Sequence, residues 1–100
     1  MSKKTIIRPK IDIKDIHPYE QNAKKHTPKQ VEQIARSIKE FGFNQPLVVD
    51  KNNEIIVGHG RYYAAQKLGL KEVPTIKLEN LTDEQVDAYR LADNKLNESE

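Results

Sequence analysis

Cysteine is absent from the 100-residue chain. That excludes a disulfide framework, a zinc–thiolate site and a cysteine nucleophile. No run of about 18 apolar residues occurs, so no transmembrane helix is expected. Met1-Ser2-Lys3-Lys4 opens no apolar segment of the secretory kind, and the expectation is a cytoplasmic protein. Aromatic residues make up only 6% against 32% charged. The core of one small domain must therefore be thin and mostly aliphatic. What charge there is lies unevenly: residues 1–30 carry eight Lys/Arg against three acids, and residues 31–100 carry nine against twelve. A basic front suits nucleic acid. A solvated face with a few extra lysines is the other reading.

Residues 1–10 are polar and read as a flexible basic arm, with the folded domain over 11–98. Ile11 and Ile13 alternate with Asp12 and Lys14, which predicts a short strand that Pro18 brings to an end. Thr27-Pro28-Lys29-Gln30 combines an N-cap hydroxyl, a proline at N1 and a glutamine at N3, the signature of a helix start. Val31, Ile34, Ala35, Ile38 and Phe41 then share one face, and Gly42 stands at the stop, which predicts a helix over 28–41. Pro46–Val49 and Glu54–Val57 flank Lys51-Asn52-Asn53 as a β-hairpin. After Gly58-His59-Gly60 the period becomes helical until Gly69. Val73 to Leu78 reads as a strand, with Pro74 at a sheet edge or a strand start. Thr82-Asp83-Glu84-Gln85 opens a last helix to about residue 97. The order β-α-β-β-α-β-α predicts an α+β domain, a small mixed sheet with packed helices.

Two segments invite chemistry. The first is Val57-Gly58-His59-Gly60-Arg61, between a strand and a helix. Its glycines allow close approach of a ligand, and the helix start offers unpaired N–H groups. Arg61 puts a cation at the positive end of a helix dipole, which costs a few tenths of a kcal/mol unless an anion sits there. The spacing matches neither a dinucleotide fingerprint nor a P-loop. The alternative is an ordinary glycine turn with Arg61 in solvent. The second segment is Asp93-Asn94. Val86, Tyr89 and Leu96 define the apolar face of the last helix, and Asp93 falls on it. A carboxylate there must be paired, hydrated or metal-bound. Asn94 could offer a carbonyl to Mg²⁺; a salt bridge from Asp93 to Arg90 or to a lysine is the other reading. His59 alone among the histidines lies in a glycine turn, where it could donate to a phosphate. Tyr62 and Tyr63 read as one core and one surface residue.

Taken in order, Ala35–Gly42, Gln45-Pro46-Leu47-Val48-Val49, Gly58–Ala65, Leu68-Gly69-Leu70, Val73-Pro74 and Leu81–Gln85 resemble the N-terminal domain of ParB partition proteins, within the ParB/sulfiredoxin group. The version with Gly-His-Gly-Arg and Leu91-Ala92-Asp93-Asn94-Lys95-Leu96 resembles ParB-like domains of phage and mobile elements that accompany DNA methyltransferases. The resemblance implies a bound nucleoside triphosphate, CTP or ATP, with Mg²⁺. It implies a nucleotide-binding set of Ser37, Gln45, Pro46, Gly58, His59, Gly60, Arg61 and Tyr62. Asp93 and Asn94, aligned with the family's third motif, are implied to hold Mg²⁺ directly or through water and, with Arg61, to support hydrolysis. Glu79-Asn80 is a decoy for that motif. Two departures stand out. Sulfiredoxin needs a cysteine in its glycine loop, so sulfinic-acid repair is excluded, and Gly60 replaces the first arginine of the ParB loop.

The expectation is a nucleotide-binding switch in DNA partition, regulation or modification, with slow turnover since no general base is evident. Two rivals are a ParB-like nuclease and a DNA-binding or recruiting module using Lys24, Lys25, Lys29 and Arg36. Expected partners are the triphosphate, DNA (directly or through a domain or partner that adds specificity), a second copy of the chain, and a DNA methyltransferase. No membrane partner is expected.

Overall fold

A computed structural model of the chain describes residues 9–20 and 26–97, with side chains up to Asp93. Among the described residues, four strands and three α-helices follow the expected order: β1 (Lys10–Asp12), α1 (Pro28–Phe41), β2 (Leu47–Val49), β3 (Ile55–Val57), α2 (His59–Leu68), β4 (Glu72–Lys77) and α3 (Asp83–Asn97). The sheet runs β1-β4-β2-β3. β4 is antiparallel to β1 and parallel to β2, and β2 is antiparallel to β3. The domain is thus α+β with a mixed sheet.

Local chemistry explains the helix limits. Thr27 Oγ1 accepts from the Gln30 N–H at 3.1 Å while Gln30 Oε1 accepts from the Thr27 N–H at 3.2 Å, so two orphan donors of α1 are satisfied reciprocally. Thr82 and Gln85 repeat the box at the start of α3 with bonds of 3.1 and 2.9 Å. In the hairpin, Asp50 Oδ1 accepts from the N–H groups of Asn52 and Glu54, which closes the turn.

β2 is buried on both sides. Leu47 and Val49 join Ile16, Ile55, Tyr62, Ala65 and Val73 in one cluster. Val48, Ile56 and Val86 form the other. The strand period of two sends alternate residues to opposite faces. α2 therefore packs on one face, with α1 against it, and α3 packs on the other beside β3.

Four expectations are corrected. Lys10, assigned to the arm, is the first residue of β1, and the Pro9 carbonyl accepts from the Thr75 N–H at 2.9 Å; the rest of the arm lies outside the described residues. Ile13 leaves the strand for a 3-10 turn (Ile13–Asp15), because Asp12 caps that turn by accepting from the Lys14 N–H. Of the two readings of Pro74, the sheet edge is wrong: the proline is the third residue of interior β4 and pairs with Lys10, and β2 joins only from Thr75 onward, so the missing N–H falls before that ladder begins. Phe41, expected on the buried face of α1, is 71% exposed because, as the last residue of the helix, it lies at the rim of an open groove and not in the core.

Candidate nucleotide site

Gly58 joins β3 to α2 and is the N-cap of the helix, with φ +107°. A Cβ there would lie 2.6 Å from Leu47 Cδ2 and 3.0 Å from Arg61 Nη2. Only glycine allows both the backbone and the closeness. Gly60 is needed for space alone: its Cβ would lie 2.7 Å from Ile34 Cδ1 and 3.3 Å from His26 Nδ1. The first turn of α2 is thereby pressed against α1. Its leading N–H groups have no partner within the helix.

Arg61 stands in that first turn, half-buried. Nη2 donates to the Pro46 carbonyl at 3.1 Å and Nη1 to Gln45 Oε1 at 3.4 Å. Buried Nε finds no acceptor among the described residues. A guanidinium carries five N–H donors, so the bracing leaves Nε–H and one hydrogen on each terminal nitrogen for a ligand. Burial pulls Arg61 below its ordinary value, and the Asp93 carboxylate acts in the opposite sense by favouring the charge. Arg61 also lines a groove of about 300 Å³ with Ser37, Phe41, Gly42, Asn44 and Gln45. A helix hydroxyl, a glutamine and a cation separated by up to 24 positions in sequence are thus brought together.

His59 and Tyr62 are tied into the structure around the turn. His59 is 4% exposed, and its Nε2 accepts from the Tyr19 N–H at 3.0 Å. That nitrogen is unprotonated and cannot donate to a phosphate. Burial lowers the His59 pKa to about 4, helped by the charges of His26 and Arg90. The ring is a structural acceptor holding the 16–20 segment against the turn. Tyr62 is buried in the core cluster, and its hydroxyl accepts from Gln66 Nε2 at 3.2 Å. It supports the turn from beneath.

Asp93 is half-buried on α3, and its charge acts on both Arg61 and His26. The two segments singled out by sequence are therefore electrostatic neighbours. The Asn94 side chain lies outside the described residues, as do Lys24 and Lys25. Lys29 and Arg36 are exposed on α1, two turns apart and so on one side of it. The face expected for α3 is partly wrong: Val86 is buried, but Tyr89 is 39% exposed, and the buried residue one turn on from Val86 is Arg90.

Arg90 is the residue that sequence reasoning missed. It is 5% exposed. Its Nε donates to the Ile55 carbonyl at 3.1 Å, and Nη2 meets Glu54 Oε1 at 3.1 Å and Asp50 Oδ2 at 3.9 Å. Nη1 is 3.7 Å from Asp87 Oδ1, and the guanidinium carbon lies 3.9 Å from the centroid of the Tyr19 ring. The four-residue step from Val86 to Arg90 was the available signal.

Residues 1–95 match the ParB N-terminal domain family. The chain belongs to that family. Among curated ParB-like relatives, the ParB-like nuclease domain-containing protein YnaK of Escherichia coli is 45% identical over 82 residues, covering 82% of this chain and 91% of that protein. The nucleoid occlusion protein of Bacillus cereus is 39% identical over 69 residues, 65% of this chain, which spans only 23% of that protein's length. Solved structures agree on the ParB fold. The truncated chromosome-partitioning protein ParB of Caulobacter crescentus, complexed with CTP-γ-S, superposes with TM-score 0.73 at 27% identity, covering 86% of this chain and 51% of that one. A free serine kinase in complex with AMP gives TM-score 0.63 at 27% identity, covering 80% of this chain and 34% of that one. Sulfiredoxin of Arabidopsis thaliana gives TM-score 0.68 at 21% identity over 84% of this chain and 97% of that one, a likeness of fold. Among the described residues, no helix is long and apolar enough to cross a membrane.

Proposed function

We propose that this ParB N-terminal domain binds a nucleoside triphosphate, CTP or ATP, with the phosphates at the Gly58–Arg61 turn. The observation that carries the reading is the half-buried Arg61, whose Nε–H has no acceptor among the described residues and which stands at the N-terminus of α2. A cation at that end of a helix is explained by an anion brought to it. Ser37 and Gln45 border the same groove and suit the polar parts of the ligand. The ParB and serine kinase neighbours, solved with CTP-γ-S and AMP, support a nucleotide as the ligand.

A triphosphate arrives with Mg²⁺, which takes one or two protein carboxylates and keeps several waters. Asp93, whose charge already acts on Arg61, fits that demand. When bound, the ion neutralises charge on the phosphate oxygens. Arg61 would donate to the phosphates from a fork that Pro46 and Gln45 hold in place. Any hydrolysis would be slow, since His59 is neutral, buried and already bonded.

The test is calorimetric titration with CTP, ATP, GTP and UTP in Mg²⁺, on wild type and Arg61→Ala. Binding by wild type and at least about tenfold weaker binding by the variant are expected for loss of a charge-assisted pair. No binding of any triphosphate at millimolar concentration contradicts the reading.

The named role of the nucleoid occlusion relative, and the shared exposed side of Lys29 and Arg36, favour DNA as the macromolecular partner. Duplex affinity should then fall with salt, and Lys29→Ala/Arg36→Ala should flatten that dependence by about two phosphate contacts.

A further inference from the structure

We propose that Arg90 is a positioning residue, which fixes α3 against the β2–β3 hairpin so that Asp93 faces Arg61. The inference rests on the triphosphate reading and extends it to a residue outside the groove.

Three parts of the domain meet at this guanidinium. Nε binds the backbone of β3 at Ile55, and Nη2 reaches Glu54 and Asp50 in the hairpin. Its carbon covers the ring of Tyr19. The Tyr19 N–H in turn donates to Nε2 of His59, the first residue of α2 and the neighbour of Gly58. One polar chain thus runs from α3 through Tyr19 to the glycine turn.

Asp93 follows Arg90 by three residues, a rise of about 4.5 Å along one rigid helix. Whatever holds Arg90 therefore holds Asp93. The apolar contact of Val86 with Val48 and Ile56 does not do this alone, since apolar packing is non-directional and permits small slides. A fork with directional bonds to a carbonyl and to carboxylates on another element does not. If α3 needed only adhesion, a packed apolar residue at position 90 would serve as well, because a buried ion pair is weak evidence for stability as such. Its use here is to set place.

The experiment has two arms. In the ligand-free arm, the Arg61 Nε–H signal is followed by ¹H–¹⁵N NMR in wild type, Asp93→Asn, Arg90→Met and the double variant. Arg90→Met should move the signal in the direction that Asp93→Asn moves it, and the double variant should add nothing. A uniformly loosened domain would not reproduce that signature. In the second arm, CTP and ATP are titrated by calorimetry, once with Mg²⁺ and once with EDTA. Arg90→Met should lose about tenfold of the Mg²⁺-dependent affinity while its affinity in EDTA stays within about twofold of wild type. Arg90→Lys, which keeps the charge but not the fork, should fall between, and it carries both arms if Arg90→Met does not fold. An unmoved Arg61 signal, or unchanged Mg²⁺ dependence, overturns the role of Arg90. Failure of wild type to bind any triphosphate overturns the functional reading instead, while the ligand-free arm still decides whether Arg90 sets the place of Asp93.

Discussion

The backbone N–H of Tyr19 donates to Nε2 of His59 at 3.0 Å, so this nitrogen is an acceptor in a ring only 4% exposed, and burial is what holds that ring neutral. Protonating the ring costs that bond and charges a buried site near His26 and Arg90.

Stability should therefore depend on pH in a defined window. The folded His59 pKa is lowered to about 4 from 6.5, so the unfolded chain takes up the proton first. The contribution is complete above about pH 6.5 and is lost as pH falls toward 4. The expected loss is about 2 kcal/mol by pH 5 and about 3 kcal/mol near pH 4. Urea denaturation across pH 7.5 to 4 measures it. His59→Gln, which can still accept from Tyr19, should remove most of the slope.

Two glycines with positive φ should respond differently to alanine. At Gly69, with φ +74°, a Cβ would meet nothing within 4 Å. Gly69→Ala should cost only the backbone strain, about 1 kcal/mol. At Gly58 the strain is joined by the contacts with Leu47 and Arg61. Gly58→Ala should cost about 3 kcal/mol and weaken triphosphate binding, because Arg61 must move. Equal costs at both sites would show that the turn is not tightly packed.

Charge at position 61 is not expected to suffice. Arg61 is braced by Pro46 and Gln45 and still presents Nε–H. A lysine cannot keep the bracing and present a fork as well. Arg61→Lys should bind triphosphate about tenfold or more weakly by calorimetry while its melting temperature changes little. Wild-type affinity would mean that a point charge is enough.

Much of the fold was legible because its signals are local. The Thr27–Gln30 and Thr82–Gln85 boxes fix two helix starts through bonds spanning three residues, and both form as read. Helix α1 has the predicted limits for the same reason. The Gly58–Arg61 turn was legible as a charge conflict at a helix end. What escaped depends on distant partners. In sequence Arg90 reads only as a salt-bridge partner for Asp93, and arginine is almost never fully buried unless paired. Apart from Asp87 on its own helix, its partners lie at Asp50, Glu54, Ile55 and Tyr19, positions with no periodic relation to it. His59 reads in sequence as a phosphate donor, and its contact with Tyr19, 40 residues away, shows Nε2 to be an acceptor. Pro74 left a sheet edge and a strand start both open, because register, invisible in sequence, decides whether a missing N–H matters.

The most direct measurement is an amide ¹H–¹⁵N titration of the domain with CTP or ATP in Mg²⁺. The largest shifts should fall on Gly58, His59, Gly60 and Arg61, with a second group around Asp93 that vanishes in EDTA. Shifts confined to other elements, or none at millimolar nucleotide, would contradict the account.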